Sequence, residues 1–257
     1  WLSAETSFGR ARTLLRQLCR VSISTQRLRE LAEACGEQLE SFVPATPAAA
    51  PAEATDARDF YAELDGTTIP LREGWKEVKC AALFWARPGH ADQPPQREAT
   101  TYLGELTDAE QFGAAVERAL DHLQAERAAR RVMLGDGAPW IWNQAELRVP
   151  DATQVVDWYH ATEHLGQVAR AGFGEAAPEV SPWVEISECE LWDGQVEAVL
   201  GMLDGLPPQA PQAREVVRKN RDYFSEHRER MRYDQFRQQG LQFTRFLDLL
   251  AQFEAPT

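Results

Sequence analysis

Residues 131–137 read Arg-Val-Met-Leu-Gly-Asp-Gly, an apolar run that ends in aspartate and glycine. Residues 60–66 follow the same plan, because Phe-Tyr-Ala-Glu-Leu is followed by Asp65 and Gly66. Such runs are typical of β-strands, and a glycine after the aspartate lets the backbone turn away and leaves the carboxylate at the strand tip. Asp65 and Asp136 are therefore candidate ligands for a divalent metal ion. The alternative is that each Asp-Gly pair is a plain turn.

The residues around these two runs predict an α/β fold. Further strands are expected at 68–71, 75–85, 99–103 and 155–160, and helices at 108–127 and 161–173. Three strands, a helix, a strand, a short helix and another strand is the succession of an RNase H-like core, a mixed sheet flanked by helices. From residue 183 onward the pattern is almost entirely helical, with a break at 205–208.

The first 42 residues are predicted to form a separate helical region. Two apolar clusters at helical spacing lie on either side of a short break, residues 21–25, which supplies a Ser/Thr cap. Arginines are concentrated here, and the candidates for DNA contact are Arg16, Arg20, Arg27 and Arg29. Two short helices with arginines on one face fit a helix-turn-helix DNA reader, and a helical hairpin with a solvated arginine face fits equally well. Residues 43–57, rich in Pro and Ala, predict a semi-rigid linker.

The composition bears on compartment and partners. The chain of 257 residues has a net charge of −13, which repels a phosphate backbone at long range, so DNA binding would depend on local basic patches. No apolar run reaches the roughly 18 residues that cross a bilayer. The four cysteines form no Cys-x-x-Cys pair, which favours buried, reduced thiols in a cytoplasmic protein without a membrane partner. The chain begins at Trp1 without a signal-peptide pattern, so we expect the start of a fragment or of a processed protein.

Three blocks of sequence carry a resemblance to a known family. They are residues 65–79, from Asp-Gly-Thr to Gly-Trp-Lys-Glu-Val-Lys; residues 135–143, Gly-Asp-Gly-Ala-Pro-Trp-Ile-Trp-Asn; and residues 157–165, Asp-Trp-Tyr-His-Ala-Thr-Glu-His-Leu. In this order they resemble the Kra-type family of bacterial insertion-sequence transposases, which are DDE enzymes with an RNase H-like catalytic core. The resemblance extends over nearly the whole chain, from the N-terminal helices to residues 230–233.

The resemblance implies a site, a cofactor and a substrate. Asp65 and Asp136 would be the first two catalytic acids and would hold Mg²⁺ or Mn²⁺. The substrate would be DNA at the transposon ends, cleaved and joined by a homo-oligomer. Residues 58–174 would form the catalytic core, and residues 175–241 a helical insertion before the helix that carries the third acid.

The sequence departs from this family after Leu241. The family continues there into Gly-Ser-Gly, the catalytic Glu and a basic helix, whereas residues 242–257 contain one glutamate, Glu254, in a context that does not match. We therefore expect a frameshifted or truncated reading frame and a transposase that is inactive in this form, unless Glu163 or Glu229 replaces the missing acid. The alternative function is that of a non-catalytic DNA-binding remnant that represses transposition.

The segment from His160 to His164 matches His-x-x-Glu-His, the inverted zincin pattern, in which Glu163 is the general base. The candidates for the third ligand that a zinc peptidase needs are Glu188, Glu190 and Glu197. His160 is predicted to end a strand rather than to lie in the helix, so the zinc metallopeptidase is the minor hypothesis. In the transposase interpretation, His160, Glu163 and His164 order the active-site wall or contact DNA.

Three tryptophans flank the same region. Trp140 is expected in the core, whereas Trp142 and Trp158 are candidates either for the core or for stacking on an unpaired base at a transposon end. Basic residues between 214 and 232 are interleaved with acids. That pattern is typical of a solvated helix face, or of a phosphate track if the residues share a face with the carboxylates.

Overall fold

A computed structural model describes residues 8–40, 57–71, 74–87, 96–207 and 210–244. The chain divides into two compact units, one with the N-terminal helices and one that extends from residue 48 to residue 246. Of the predicted linker, residues 43–56 lie outside the described residues, and so does the divergent tail from residue 245 onward. Within the described ranges, no helix is long and apolar enough to cross a bilayer.

The N-terminal unit contains the two helices that the sequence predicts. Helix α1 spans Phe8–Leu18 and helix α2 spans Thr25–Glu40. Ser24 caps α2, because its Oγ accepts a hydrogen bond of 3.0 Å from the backbone N–H of Arg27. This is the usual device for satisfying a free N–H at the start of a helix.

The larger unit is built on a five-stranded sheet. Its strands are β1 (Asp59–Leu71), β2 (Gly74–Arg87), β3 (Gln96–Glu105), β4 (Arg130–Gly135) and β5 (Thr153–Val156). Their order in the sheet is β3-β2-β1-β4-β5. The first three strands are antiparallel neighbours, whereas β4 is parallel to β1 and β5 is parallel to β4. The predicted α/β class, with an open mixed sheet flanked by helices, is confirmed.

Seven helices of the larger unit lie in the described ranges. They are α3 (Ala109–His122), α4 (Pro139–Arg148), α5 (Trp158–Phe173), α6 (Val180–Trp192), α7 (Val196–Asp204), α8 (Pro211–Glu226) and α9 (Tyr233–Gln238), with 3-10 turns at Ala125–Arg127 and Arg228–Met231. The region after residue 175 is thus helical, as predicted. Helix α5 packs against both α6 and α8.

The core lies on both faces of the sheet, which explains why the middle of β2 is apolar without interruption. Residues 80–86 of β2 are all buried, as expected for a strand covered on two sides. On one face, the indole N–H of Trp85 donates to the carbonyl of Leu123 just after α3, over 3.0 Å. On the other face, Tyr61 stacks on Phe84 with ring centroids 5.2 Å apart. The Tyr61 hydroxyl accepts the backbone N–H of Gln242.

Two predicted element boundaries are wrong, and a side-chain or backbone hydrogen bond explains each. The predicted turn at Asp65-Gly66 is absent because β1 continues to Leu71, paired residue by residue with β2. The predicted strand 155–160 ends at Val156, where the Asp157 carboxylate accepts the backbone N–H of His160 and starts α5. His160 therefore lies in the helix. Aspartate is among the preferred residues at a helix start, and the apolar Trp-Tyr pair that follows it concealed this signal.

Two smaller expectations also need correction. The helix predicted for 108–127 ends at His122, because Gln124 has a left-handed backbone (φ 54°) that interrupts it before the 3-10 turn. Of the four cysteines, Cys80 is buried, whereas Cys19, Cys35 and Cys189 are exposed.

The paired residues 67–71 and 74–78 form a two-stranded ribbon that extends beyond the rest of the sheet. The pairing of β2 with β3 begins at Lys79, and that of β1 with β4 ends at Glu63. Trp75 on this ribbon is 71% exposed. The ribbon continues β1 beyond Asp65.

A buried ion pair joins the starts of β1 and β4. Asp59 and Arg130 are direct partners in the β1–β4 register. The Arg130 guanidinium donates two hydrogen bonds to the carboxylate, of 2.8 and 2.6 Å, and a third, of 2.7 Å, to the carbonyl of Gln239. The hydrogen bonds that Arg130 donates to Asp59 raise the pKa of Arg130. Asp59 is 1% exposed, so its charge depends on Arg130 for compensation.

We predict that Arg130→Met lowers the free energy of unfolding by about 3 kcal/mol, because it leaves the buried Asp59 carboxylate uncompensated. The double variant Asp59→Leu/Arg130→Met should recover most of this loss. Urea denaturation measures both values. Arg87→Met, which breaks a surface pair with Glu98, is the control and should cost less than about 1 kcal/mol. A loss in Arg130→Met no larger than in this control would contradict the assignment.

Candidate active site

The two candidate aspartates come shortly after the last paired residues of two neighbouring parallel strands, β1 and β4. Each pair of partner residues in the β1–β4 register is 71 positions apart, and the last pair is Glu63 with Leu134. Asp65 and Asp136 have the same separation, so a register that continued for two more residues would bring Asp136 next to Asp65. Adjacent strands are about 4.8 Å apart, and residues at matched positions point to the same face. Asp136 follows the end of β4, as predicted, whereas Asp65 lies within β1.

The surroundings of Asp65 are partly buried and carry further charge. Its Oδ1 accepts the backbone N–H of Gly66 at 2.8 Å. Cys80 is its cross-strand partner, and burial, with the negative charge of Asp65 as a second cause, raises the pKa of the Cys80 thiol. Glu63, two residues earlier on the same face, is fully buried. It forms a 3.5 Å ion pair with Arg97.

Asp136 is held by the loop that follows it and by helix α8. Its Oδ1 accepts the N–H of Ala138 at 2.8 Å, and its backbone carbonyl accepts the hydroxyl of Tyr223 at 2.9 Å. Gly137 adopts φ +108°, and a Cβ there would lie 2.4 Å from the Tyr223 ring and 3.2 Å from Nε2 of His227. The glycine is therefore needed both for its backbone conformation and for the close approach of α8.

Two histidines of α5 meet the same part of α8. Nε2 of His160 and Nε2 of His164 are 3.2 Å apart. Nδ1 of His164 is hydrogen-bonded to Oδ1 of Asn220, and the His164 ring stacks on Tyr223 with centroids 3.9 Å apart. Burial is the main cause that lowers the pKa of His164, and the charge of His160 adds to it. The charge of Asp136 opposes the shift.

His227, a third histidine, lies behind Gly137. Burial is the main cause that lowers the pKa of His227, and the charge of Arg230 adds to it. Arg230 hydrogen-bonds to Nδ1 of His227 at 3.1 Å and lies over the ring of Trp142, 4.6 Å from its centroid. An arginine over an aromatic ring is a favourable contact, so Arg230 joins the rings of Trp142 and His227 in one cluster.

All three tryptophans that the sequence singles out pack in or against the hydrophobic core. Trp142 is 3% exposed and belongs to the core, so stacking on a base would require the core to open. Trp158 packs edge-on against Tyr233 and Trp192, with centroid distances of 5.0 and 5.1 Å. Trp140 packs partly buried against Phe112.

The predicted arginines of the N-terminal unit lie on its surface. Arg16, Arg20, Arg27 and Arg29 are exposed. Arg27 pairs with Glu30 at 2.9 Å, and Arg29 lies over the ring of Phe8 at 5.7 Å. Arg16 lines a groove of about 210 Å³ together with Arg12 and Ser22.

The glutamates proposed as further ligands do not join a cluster in the described residues. Glu163 and Glu229 are exposed, and Glu197 pairs with Arg228 on the surface. Glu188, on α6, has a raised pKa because of burial and its neighbour Glu185. Across the described ranges, no group of three or more His, Cys, Asp or Glu residues could hold a metal ion. The three-ligand set of a zinc peptidase is thus not formed by these residues.

Sequence reasoning missed four residues of this region. Asp157 continues the β4–β5 register from Gly135 and Val156 and so stands next to Asp136, but its carboxylate is used as the cap of α5. Glu63 was detectable, because residues two apart on a strand share a face. Asn220 and Tyr223 were not detectable, because the sequence of a charged, amphipathic helix does not indicate which of its polar side chains turn inward.

A scan against protein-family models finds no match for this chain, and a search of curated proteins finds none either.

We predict that Gly137→Ala destabilises the protein by about 1–3 kcal/mol, because a side chain at this φ is strained and meets Tyr223. The matched control is Gly201→Ala in helix α7, where a Cβ meets nothing within 4 Å. This change should stabilise by about 0.5–1 kcal/mol, since alanine favours a helix. Urea denaturation of both variants measures whether each change lowers or raises the free energy of unfolding. Equal effects in the two variants would contradict the close packing at Gly137.

The lowered pKa values of His164 and His227 predict a pH dependence of stability. Both groups bind a proton more readily in the unfolded chain, so their contribution is full above the unfolded pKa of about 6.5 and is lost as pH falls through the folded values. Between about pH 7.5 and 5.5, the free energy of unfolding should therefore fall. The slope is at most about 1.4 kcal/mol per pH unit for each histidine.

His227→Gln tests this assignment, because removing one of the two groups should flatten the pH profile, whatever its effect at neutral pH. His122→Gln, at an exposed position on α3, is the control and should leave the slope unchanged. An unaltered slope in His227→Gln would show that other groups cause the dependence.

Proposed function

We propose that this chain is a DNA-cleaving protein of the transposase type, with an RNase H-like core in which Asp65 and Asp136 bind Mg²⁺ or Mn²⁺. The observation that carries the proposal is that Asp65 and Asp136 have the same separation of 71 positions as the paired residues of the adjacent parallel strands β1 and β4. If the same register continues for two more residues, the two aspartates come to neighbouring positions on one face, which is the arrangement that two-carboxylate metal sites use for phosphoryl transfer. Two Asp-Gly turns in unrelated parts of the fold would not be expected to match the spacing of a strand pair.

The order of elements supports the RNase H-like assignment. Three antiparallel strands, helix α3, strand β4, the short helix α4 and strand β5 follow one another in the succession that the resemblance implies. The late helices come between α5 and Leu241, where the resemblance expects an insertion.

The donor set fits a hard divalent cation. Carboxylate oxygens are the ligands that Mg²⁺ and Mn²⁺ prefer, and the carboxylate of Asp136 is already oriented by the N–H of Ala138. A bound cation would polarise the phosphodiester and lower the pKa of a bound water. The protein's contribution is to hold the two carboxylates on a rigid sheet, so that little reorganisation is needed when the substrate arrives.

The position of the chain after Leu241 supports a role for a third acid from this segment. The N–H of Gln242 donates to the Tyr61 hydroxyl at 3.0 Å, and its side chain donates to Glu63 at 3.4 Å. Tyr61, Glu63 and Asp65 share one face of β1. The segment that carries the catalytic glutamate in the family therefore starts next to the aspartates, whereas this chain has no matching glutamate there.

That mismatch favours a second candidate function, a DNA-binding protein that has lost cleavage. Two aspartates retain one cation, but a second cation needs another carboxylate to offset its charge. In both candidates the arginines of the N-terminal helices supply phosphate contacts, and binding should weaken steeply with salt. Assembly as a homo-oligomer on paired transposon ends belongs to the same proposal.

Cleavage of a supercoiled plasmid that carries the DNA flanking the gene tests the proposal, with Mg²⁺ or Mn²⁺ present. We expect little nicking by the chain as given. A chain in which the tail after Leu241 is replaced by the family pattern of Gly-Ser-Gly, glutamate and a basic helix should nick at least about tenfold faster, the effect of 1.36 kcal/mol in the transition state. The same replacement with glutamine instead of that glutamate is the matched control and should stay slow.

Asp65→Asn and Asp136→Asn in the restored chain should each abolish nicking, whereas Asp121→Asn, an exposed carboxylate on α3, should not. Cleavage that survives both aspartate changes would refute the proposed site. Robust, Asp136-dependent nicking by the chain as given would instead remove the second candidate and show that another residue supplies the third acid.

A further inference from the structure

The histidine pair of α5 has the geometry of a transition-metal chelate. Two nitrogens bound to one ion at about 2.0–2.1 Å, with a near-tetrahedral angle, lie a little over 3 Å apart. Nε2 of His160 and Nε2 of His164 are 3.2 Å apart. The residues occur at i and i+4 on one helix, so their side chains project from the same face.

A second observation concerns the groups that lie next to the Nδ1 atoms of these two rings. The Asn220 amide N–H₂ donates to the carbonyl of Val216 at 2.8 Å, which turns its Oδ1 towards Nδ1 of His164. Nδ1 of His164 therefore carries the hydrogen, and its Nε2 presents a lone pair. Asn220 is 5% exposed, so this orientation is fixed in the packed interior between α5 and α8.

His160 has a carboxylate near its other nitrogen. Its Nδ1 is 3.8 Å from Oε2 of Glu163, which is beyond hydrogen-bond distance, and a rotation of the exposed Glu163 side chain would let it accept the ring N–H when Nε2 is a ligand. Histidine ligands almost always donate their second N–H to such a group, and this raises the basicity of the binding nitrogen. In the metal-free protein, a hydrogen bond between the two Nε2 atoms occupies the same space.

We propose that His160 and His164 form a binding site for a divalent transition cation of the Zn²⁺ class, held through both Nε2 atoms. Imidazole nitrogen favours such ions, whereas carboxylate oxygen favours Mg²⁺ and Mn²⁺. The site is thus chemically distinct from the aspartate pair and does not depend on the proposed DNA cleavage. Water or a bound anion completes the coordination, since two protein ligands leave positions open.

Such an ion would alter the electrostatics next to Asp136. The carboxylate of Asp136 is near enough to influence the pKa of His164, and Tyr223 links its backbone to the same stack of rings. In a chain with a net charge of −13, a cation here adds local attraction for a phosphate group. The chemical class of ligand that the loaded site would take is therefore an anion with oxygen donors.

Titration of the tag-free, full-length protein with Co²⁺ tests the site, because the visible absorption of Co²⁺ reports nitrogen coordination of low symmetry. We expect saturation at one ion per chain, displacement by Zn²⁺ and no displacement by excess Mg²⁺. His160→Gln and His164→Gln should each weaken Co²⁺ binding by at least about tenfold. His122→Gln, at an exposed position on α3, should bind as the unmodified protein does.

Changes at Asn220 keep the test decisive if His164→Gln fails to fold, as melting curves would show. Asn220→Asp retains the acceptor for Nδ1 and should retain binding, whereas Asn220→Leu removes it and should weaken binding about tenfold. Absence of saturable binding, or equal affinity in the unmodified protein and His160→Gln, would overturn the proposal. Absorption from thiolate-to-cobalt charge transfer that persists in both histidine variants would also overturn it, by assigning the ion to a cysteine.

Discussion

The bidentate pair between Asp59 and Arg130 is the constraint on which the arrangement of the candidate site depends. It joins the two central strands at directly opposed positions, and a slip of one residue would separate a buried carboxylate from its only described guanidinium partner and turn every β4 side chain to the other face. The charge pair therefore acts as a register marker, in the way that buried polar groups specify alignment in other packed systems. The alignment set at Asp59 continues along the two parallel strands to Glu63 and Leu134, two positions before the candidate aspartates.

The sequence predicts the strands of this sheet well because their apolar runs are long and their ends carry distinct residues. The run in β2 and the Asp-Gly ends of two other runs are local signals, and they locate the central strands and the candidate carboxylates. Helix caps are less visible: Asp157 precedes two large aromatic residues, so the pattern resembles a continuing strand until the carboxylate is seen to accept the N–H of His160. Contacts between α5 and α8 are beyond sequence reasoning, because Asn220 and His164 are 56 positions apart. Only tertiary packing brings them together.

Helix α8 brings polar side chains next to Asp136, at the end of strand β4. Tyr223 contacts the backbone of Asp136, the ring of His164 and the space over Gly137. Burial there favours neutral imidazoles, which are the forms that accept hydrogen bonds and bind metal ions. The late helices are therefore more than an addition to the core, since they supply one wall of the region that contains Asp136. Their exposed faces are occupied by ion pairs such as Arg221 with Asp204, which contribute little to stability because solvent screens them.

The ribbon that continues from Asp65 has a consequence for how separate molecules of this protein meet. Its two strands pair with each other, while their outer edges have backbone N–H and C=O groups without strand partners in the described part of the chain. Open edges of this kind are templates for strand addition, and Trp75 adds exposed apolar surface. Lys76 and Glu77, both exposed, follow it directly, and charged side chains on an edge oppose the stacking of identical strands. Two charges on this ribbon thus oppose edge-to-edge pairing of separate molecules, within twelve positions of a candidate catalytic aspartate.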